Sequence, residues 1–161
     1  MFSKIDRTAF PPAEKPMMVW DGECGFCKYW ITRWKSKTED RIIYRTFQQV
    51  SENYPDIPLK EFKKASRLVE TDGSIYSGPD SAYRSFNYFE ESDSRWHNLY
   101  SKNGFFTSVS DYTYNFIANN RSFMLKITKL FFGNDPAAIK PYWFILLLFV
   151  FSIVYVLLTY L

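Results

Sequence analysis

The chain has 161 residues and a formal net charge of +3, a size that suits one domain with an appendage. Its cations form no basic block, which argues against a nucleic-acid surface, and its two cysteines cannot build a structural disulfide framework. Aromatic residues make up 20% of the chain and run along its whole length, which fits an aromatic-rich core together with a membrane segment.

Met1 to Met18 is polar and broken by prolines, with no apolar run of the length a signal peptide needs. Lys15 to Trp20 reads as the first strand. Directly behind it stands Asp21-Gly22-Glu23-Cys24-Gly25-Phe26-Cys27, which holds both cysteines of the chain at C-x-x-C spacing. A helix follows from about Cys24 to Lys37. Cys27, Trp30, Ile31 and Trp34 fall on one stripe of it, while Lys35 and Lys37 place cations in its last turn, where the dipole favours them.

Residues three apart on a helix have Cβ atoms about 5–6 Å apart, and a disulfide needs roughly 3.8 Å. With Cys24 at the N-cap and Cys27 in the first turn, the gap closes without unwinding the helix. A thiolate at a helix N-terminus is stabilised by unpaired N–H groups and the positive end of the dipole, which lowers its pKa. Cys24 is therefore the expected attacking thiol, exposed and at the cap, and Cys27 the resolving one. Asp21 would cap the N–H groups of the turn or accept a proton from Cys27. Gly22 and Gly25 would allow a tight turn and the close approach of a substrate chain. Two other readings of the pair stay open. Half of a zinc site would need a carboxylate or a second chain beside the distant His97, and the cysteines could be plain buried hydrophobes.

Further along, Arg41 to Phe47 reads as a second strand. Gln48 to Lys64 contains Pro55 and Pro58, so any helix there is short. Ala65 to Thr71 and Ser74 to Ser77 flank an Asp72-Gly73 turn and read as a hairpin. Gly78-Pro79-Asp80 opens a helix with Ala82, Phe86 and Phe89 on its apolar face. Ser94 to Phe106 is ambiguous. Asp111 to about Phe132 reads as one long helical stretch. The order β-α-β-(α)-β-β-α is that of an α/β, thioredoxin-like fold, a mixed sheet with flanking helices.

Gly133-Asn134-Asp135-Pro136 reads as a hinge. Pro141 to Leu161 then carries no Lys, Arg, Asp or Glu, and as a helix it reaches about 30 Å, the thickness of a bilayer core. Tyr142, Trp143 and Tyr160 suit the interfacial belts. Arg121, Lys126, Lys129 and Lys140 precede this span against one acid, Asp135, and no charge follows it. The positive-inside rule then keeps the N-terminal part cytoplasmic. The expected organisation is a domain over 1–133 with its core at about 15–121, a hinge over 134–140 and a single transmembrane helix over 141–161.

The segment Asp21-x-x-Cys24-x-x-Cys27 behind an apolar strand resembles the DCC family of predicted thiol-disulfide oxidoreductases, named for that Asp-Cys-Cys pattern. Thr71 to Ala82 is similar to the family's hairpin and alanine-bearing helix. Tyr114-Asn115-Phe116-Ile117-Ala118-Asn119-Asn120-Arg121 resembles its late Tyr…Ala…Asn-Arg motif. The resemblance covers roughly Lys15 to Arg121. It implies a thioredoxin-like fold and protein-disulfide reductase or related activity. One departure from thioredoxins stands out. They place a cis-proline before the third core strand, facing the cysteines, whereas Phe62-Lys63-Lys64 precedes Ala65 here and Pro58 lies too early.

These features lead to the expectation of a membrane-anchored oxidoreductase without cofactor or metal. Its partners would be a disulfide-containing protein or small thiol substrate, a reducing partner, and membrane lipid through 141–161. A non-catalytic membrane-tethered adaptor on the same fold is the alternative.

Overall fold

A four-stranded mixed sheet organises the chain, in the order β2-β1-β3-β4. The computed structural model describes residues 1–138, 140 and 142–160. Strand β1 (Met17–Trp20) pairs in parallel with β2 (Ile43–Thr46) and antiparallel with β3 (Arg67–Val69), which pairs antiparallel with β4 (Ile75–Ser77). This is the thioredoxin-like arrangement that the element order implies. The parallel β1–β2 pair requires a crossover, and α1 (Gly25–Thr38) supplies it. The β3–β4 hairpin turns at Asp72-Gly73, where Gly73 has φ 87° and the Asp72 carboxylate accepts the Ser74 N–H at 2.8 Å.

Alternation along β1 sends neighbouring side chains to opposite faces. Met18 packs with Ile31, Ile42 and Leu68 under α1. Val19 packs with Phe47, Val50, Phe62, Val69 and Ile75 on the other side, beneath α2 (Phe47–Val50) and α3 (Leu59–Lys64). These two are the short helices that the prolines of 48–64 permit. Helix α4 (Pro79–Ser85) begins with proline at its first turn.

The segment read as ambiguous forms α5 (Arg95–Lys102) and the start of α6 (Gly104–Asn119). Asn103 caps α6 by accepting the Phe106 N–H at 3.0 Å. The long helical stretch expected from Asp111 to Phe132 is two helices, α6 and α7 (Arg121–Phe132). Asn120 separates them. Its backbone (φ −122°, ψ 32°) leaves the helical region, and its side-chain amide donates to the Phe116 carbonyl at 2.7 Å, the competition with helix that Asn side chains offer.

Helix α8 (Tyr142–Tyr160) has no buried residue among the described residues of Tyr142–Thr159 and is long and apolar enough to cross a membrane. Pro141 and Leu161, the ends of the expected span, lie outside the described residues.

Candidate functional site

The chain leaves β1 at Trp20 and enters α1 through four residues. The Cys24 N–H donates to the Asp21 carbonyl at 3.2 Å, closing the turn. Cys24 is the N-cap, in extended backbone at φ −84° and ψ 108°, and its Sγ accepts the Cys27 N–H at 3.1 Å. Cys24 and Cys27 are joined by a disulfide with Cα atoms 5.2 Å apart. One cysteine outside the helix and one in its first turn is the arrangement that the spacing implies. On reduction, the Cys24 sulfur sits where N–H groups and the helix dipole favour a thiolate.

The expectation that Cys24 is the more exposed sulfur does not match the oxidised form. Cys24 is 8% exposed and Cys27 is half-buried. Helix α7 is the reason, because Arg121, Ser122 and Leu125 lie across the start of α1. The two cysteines also border different spaces. Cys24 opens on a small pocket of about 240 Å³ shared with Asp21, Glu23, Phe26 and Arg121. Cys27 borders a cleft of about 720 Å³ between α1, α4, α6 and α7. Trp30, Ile31 and Trp34, the apolar stripe of α1, all line that cleft, and Ile31 is also part of the buried core, with Trp34 packed against it. The buried indole N–H of Trp20, another wall, has no acceptor among the described residues.

Asp21 makes the capping contact. Its Oδ1 accepts the Glu23 N–H at 3.2 Å and the Gln48 amide at 3.0 Å. Its Oδ2 accepts from Arg121 at 2.8 Å. Neither Gly22 nor Gly25 has positive φ, so the turn itself does not demand glycine there. At Gly22 close approach does, and it comes from the protein's own Thr46, while Gly25 faces only the end of the Leu125 side chain.

Arg121 and Tyr114 hold the segment before β3. Arg121 Nη2 donates to the carbonyls of Lys63 at 3.0 Å and Lys64 at 3.4 Å. The Tyr114 hydroxyl accepts the Ser66 N–H at 3.0 Å. Ala65 and Ser66 line the same cleft as Cys27, so this segment stands where the thioredoxin cis-proline would. No cis peptide occurs among the described residues. Sequence reading noted Tyr114 and Arg121 as motif residues, and Arg121 as a cation before the span, without a role for either in the site. Their partners lie 48 and 100 residues away, and no local spacing points to them.

His97 bonds Asp80 through Nδ1 at 2.7 Å. Among the described residues no group of three His, Cys, Asp or Glu side chains is placed to hold a metal ion.

The family model for DCC1-like thiol-disulfide oxidoreductases matches residues 18–126. Comparison with curated proteins and with solved structures gives no match. The matched span is well over half of the chain and contains the disulfide turn, the β3–β4 hairpin and the Tyr114–Arg121 segment, so the chain belongs to the DCC1-like thiol-disulfide oxidoreductase family.

Proposed function

We propose that the protein is a membrane-anchored thiol-disulfide oxidoreductase that acts as a protein-disulfide reductase. The observation that carries this reading is the Cys24 sulfur at the N-cap of α1, accepting an N–H and bonded to Cys27. In the reduced protein, the Cys24 thiolate attacks a substrate disulfide. A mixed disulfide forms and the first substrate thiolate leaves. Cys27 loses its proton and attacks the Cys24 sulfur, which releases the second substrate thiolate and restores the Cys24–Cys27 disulfide. Two electrons pass to the substrate, and a reducing partner returns them. Asp21, Gly22 and Gly25 support the turn. The domain of residues 1–133 works at the cytoplasmic face of the membrane, joined through the segment 134–140 to an anchor over 141–161. Substrates are disulfide-containing proteins or small thiols in their disulfide form, and lipid contacts are made by the anchor.

Insulin reduction by the dithiothreitol-driven full-length protein tests the activity. It is expected to fall to background in Cys24→Ser. Activity equal to wild type in that variant favours the adaptor reading, which gains some support from the occupied main-chain groups at 63–66. Alkylation at limiting reagent, read by mass spectrometry, is expected to label Cys24 before Cys27. The reverse order would exchange the two roles.

A further inference from the structure

The geometry points to a lipid-chain site: the cleft beside Cys27 binds one acyl or prenyl chain drawn from the bilayer. This inference rests on the cleft and on the proposed anchoring, not on the redox chemistry. Protein interiors leave few voids larger than a water molecule, yet this cleft has a volume of about 720 Å³, within the roughly 300–1,000 Å³ of small-ligand sites. Its walls include Trp20, Phe26, Trp30, Trp34, Phe62 and Phe131, and the charged residues lining it are Asp21 and Arg121, which neutralise each other. A long apolar chain matches such a lining. An extended peptide does not, because the main-chain groups it would pair with at Lys63, Lys64 and Ser66 are already bonded to Arg121 and Tyr114.

The bilayer is the source for two reasons. The Phe131–Phe132 end of the cleft runs into the connector to α8, and that connector is pinned beside it. The Tyr29 hydroxyl donates to the Gly133 carbonyl at 3.0 Å, Arg33 donates to the Ala137 carbonyl at 3.0 Å, and the Lys140 N–H donates to the Phe132 carbonyl at 3.0 Å. With α8 inserted, this end of the cleft lies at the membrane surface. The outer sides of α6 and α7 carry exposed aromatic side chains. Phe105, Tyr112, Phe116 and Phe123 are each more than half exposed, the one charged residue of α6, Asp111, is buried, and the exposed Lys126 and Lys129 of α7 stand beside them as cations for a lipid surface. Such a face belongs against lipid.

Five tryptophans make the test direct. The full chain carrying Trp96→Phe and Trp143→Phe, in nanodiscs, keeps Trp20, Trp30 and Trp34, all walls of the cleft. One arm uses discs of brominated-chain phospholipid, and the other adds dibromostearate to discs of ordinary phospholipid. Saturable quenching by about half or more is expected in at least one arm. The arm that shows it identifies the source as intact phospholipid or free acid. Ala82→Phe and Ala118→Phe, which fill the cleft, are expected to reduce the quenching severalfold with near-UV circular dichroism unchanged. Should both variants misfold, a photoreactive diazirine stearate replaces them, with adducts expected on α1, α6 and α7 of the unfilled chain. Cys24→Ser is expected to keep the quenching, so the redox reading and the lipid site fail separately. Quenching that never saturates, quenching unchanged in folded filled variants, or adducts confined to α8 overturns the proposal.

Discussion

Gly22 and Gly25 lie on either side of Cys24, and what lies above them constrains the two unequally. A Cβ on Gly22 would stand 2.6 Å from Thr46 Cγ2 and 3.0 Å from Thr46 Cβ. Thr46 is the last residue of β2, held by the sheet, so it has little room to retreat. Gly22→Ala is expected to destabilise the protein by about 1–3 kcal/mol, the usual cost of overpacking. A Cβ on Gly25 would meet the end of the Leu125 side chain at 3.1 Å, and that methyl can rotate away. Alanine also gains up to about 1 kcal/mol of helix propensity over glycine. Gly25→Ala is expected to stay within about 1 kcal/mol of wild type. Urea unfolding of both variants checks the contrast, and a fully stable Gly22→Ala would show that Thr46 is not the constraint. The need for Gly22 was visible in the sequence, but its cause was not. A turn explanation comes from one segment, and the real neighbour comes from another strand.

At the scale of elements, the segment entering β3 joins the sheet to α6 and α7. The Tyr114 hydroxyl satisfies the Ser66 N–H, and Ser66 Oγ lies 3.2 Å from Tyr114 and 2.9 Å from Ser81. Tyr114→Phe leaves the Ser66 N–H without this acceptor. Ser66 is half-buried, so the cost expected is that of one lost hydrogen bond, about 0.5–1.5 kcal/mol, read from the urea midpoint. Amide exchange at Ser66 should quicken more than at Val69, which is fully buried in β3. Equal effects at the two amides would mean that the bond does not hold the segment. Elements built from local signals were legible in the sequence. The Asp72-Gly73 turn, the proline start of α4 and the cysteine cap of α1 all lie where their residues demand. The break at Asn120 was not read, because the apolar periodicity of α6 and α7 runs up to it from both sides. Nor did the pattern of β3 reveal that Arg67 is fully buried, bonded to Ser77 Oγ at 2.5 Å and paired with Glu61 at 3.4 Å. That pairing depends on α3 and the hairpin meeting in space.

Across the whole molecule, buried and half-buried tyrosines are expected to set the alkaline limit of stability. Burial pushes Tyr44 up to about 12 against the opposing hydrogen bond from Thr38. Burial also raises Tyr54, and it raises Tyr88 and Tyr100 together with their bonds to Glu70 and Asp111. An unfolded tyrosine titrates near 10. A folded value above the unfolded one means that this stability is fully present below about pH 10 and is lost as pH rises through about 12. The urea midpoint is expected to fall across that window, with tyrosinate absorbance rising in step with unfolding. A midpoint unchanged through it would contradict the burial of these rings.

Orientation in the membrane is the other property of the whole chain, and it fixes the direction of the chemistry. Helix α8 carries no charge. Lys126, Lys129 and Lys140 precede it as cations, with Asp135 among them. Arg121, the fourth cation of the sequence reading, is engaged by Asp21. On the proposed anchoring, moving these lysines across the bilayer would be costly, and the positive-inside rule predicts a redox domain on the cytoplasmic side. Thiols are kept reduced on that side. The resting state expected there is the dithiol, and the expected net direction is reduction of the partner. Protease added to intact cells is expected to leave the domain whole, and maleimide that cannot cross membranes is expected to leave Cys24 and Cys27 unlabelled until the cells are opened. Cleavage or labelling from outside would place the disulfide in an oxidising compartment. The same cap geometry would then serve disulfide formation in a substrate, with electrons flowing into Cys24–Cys27 instead of out of it.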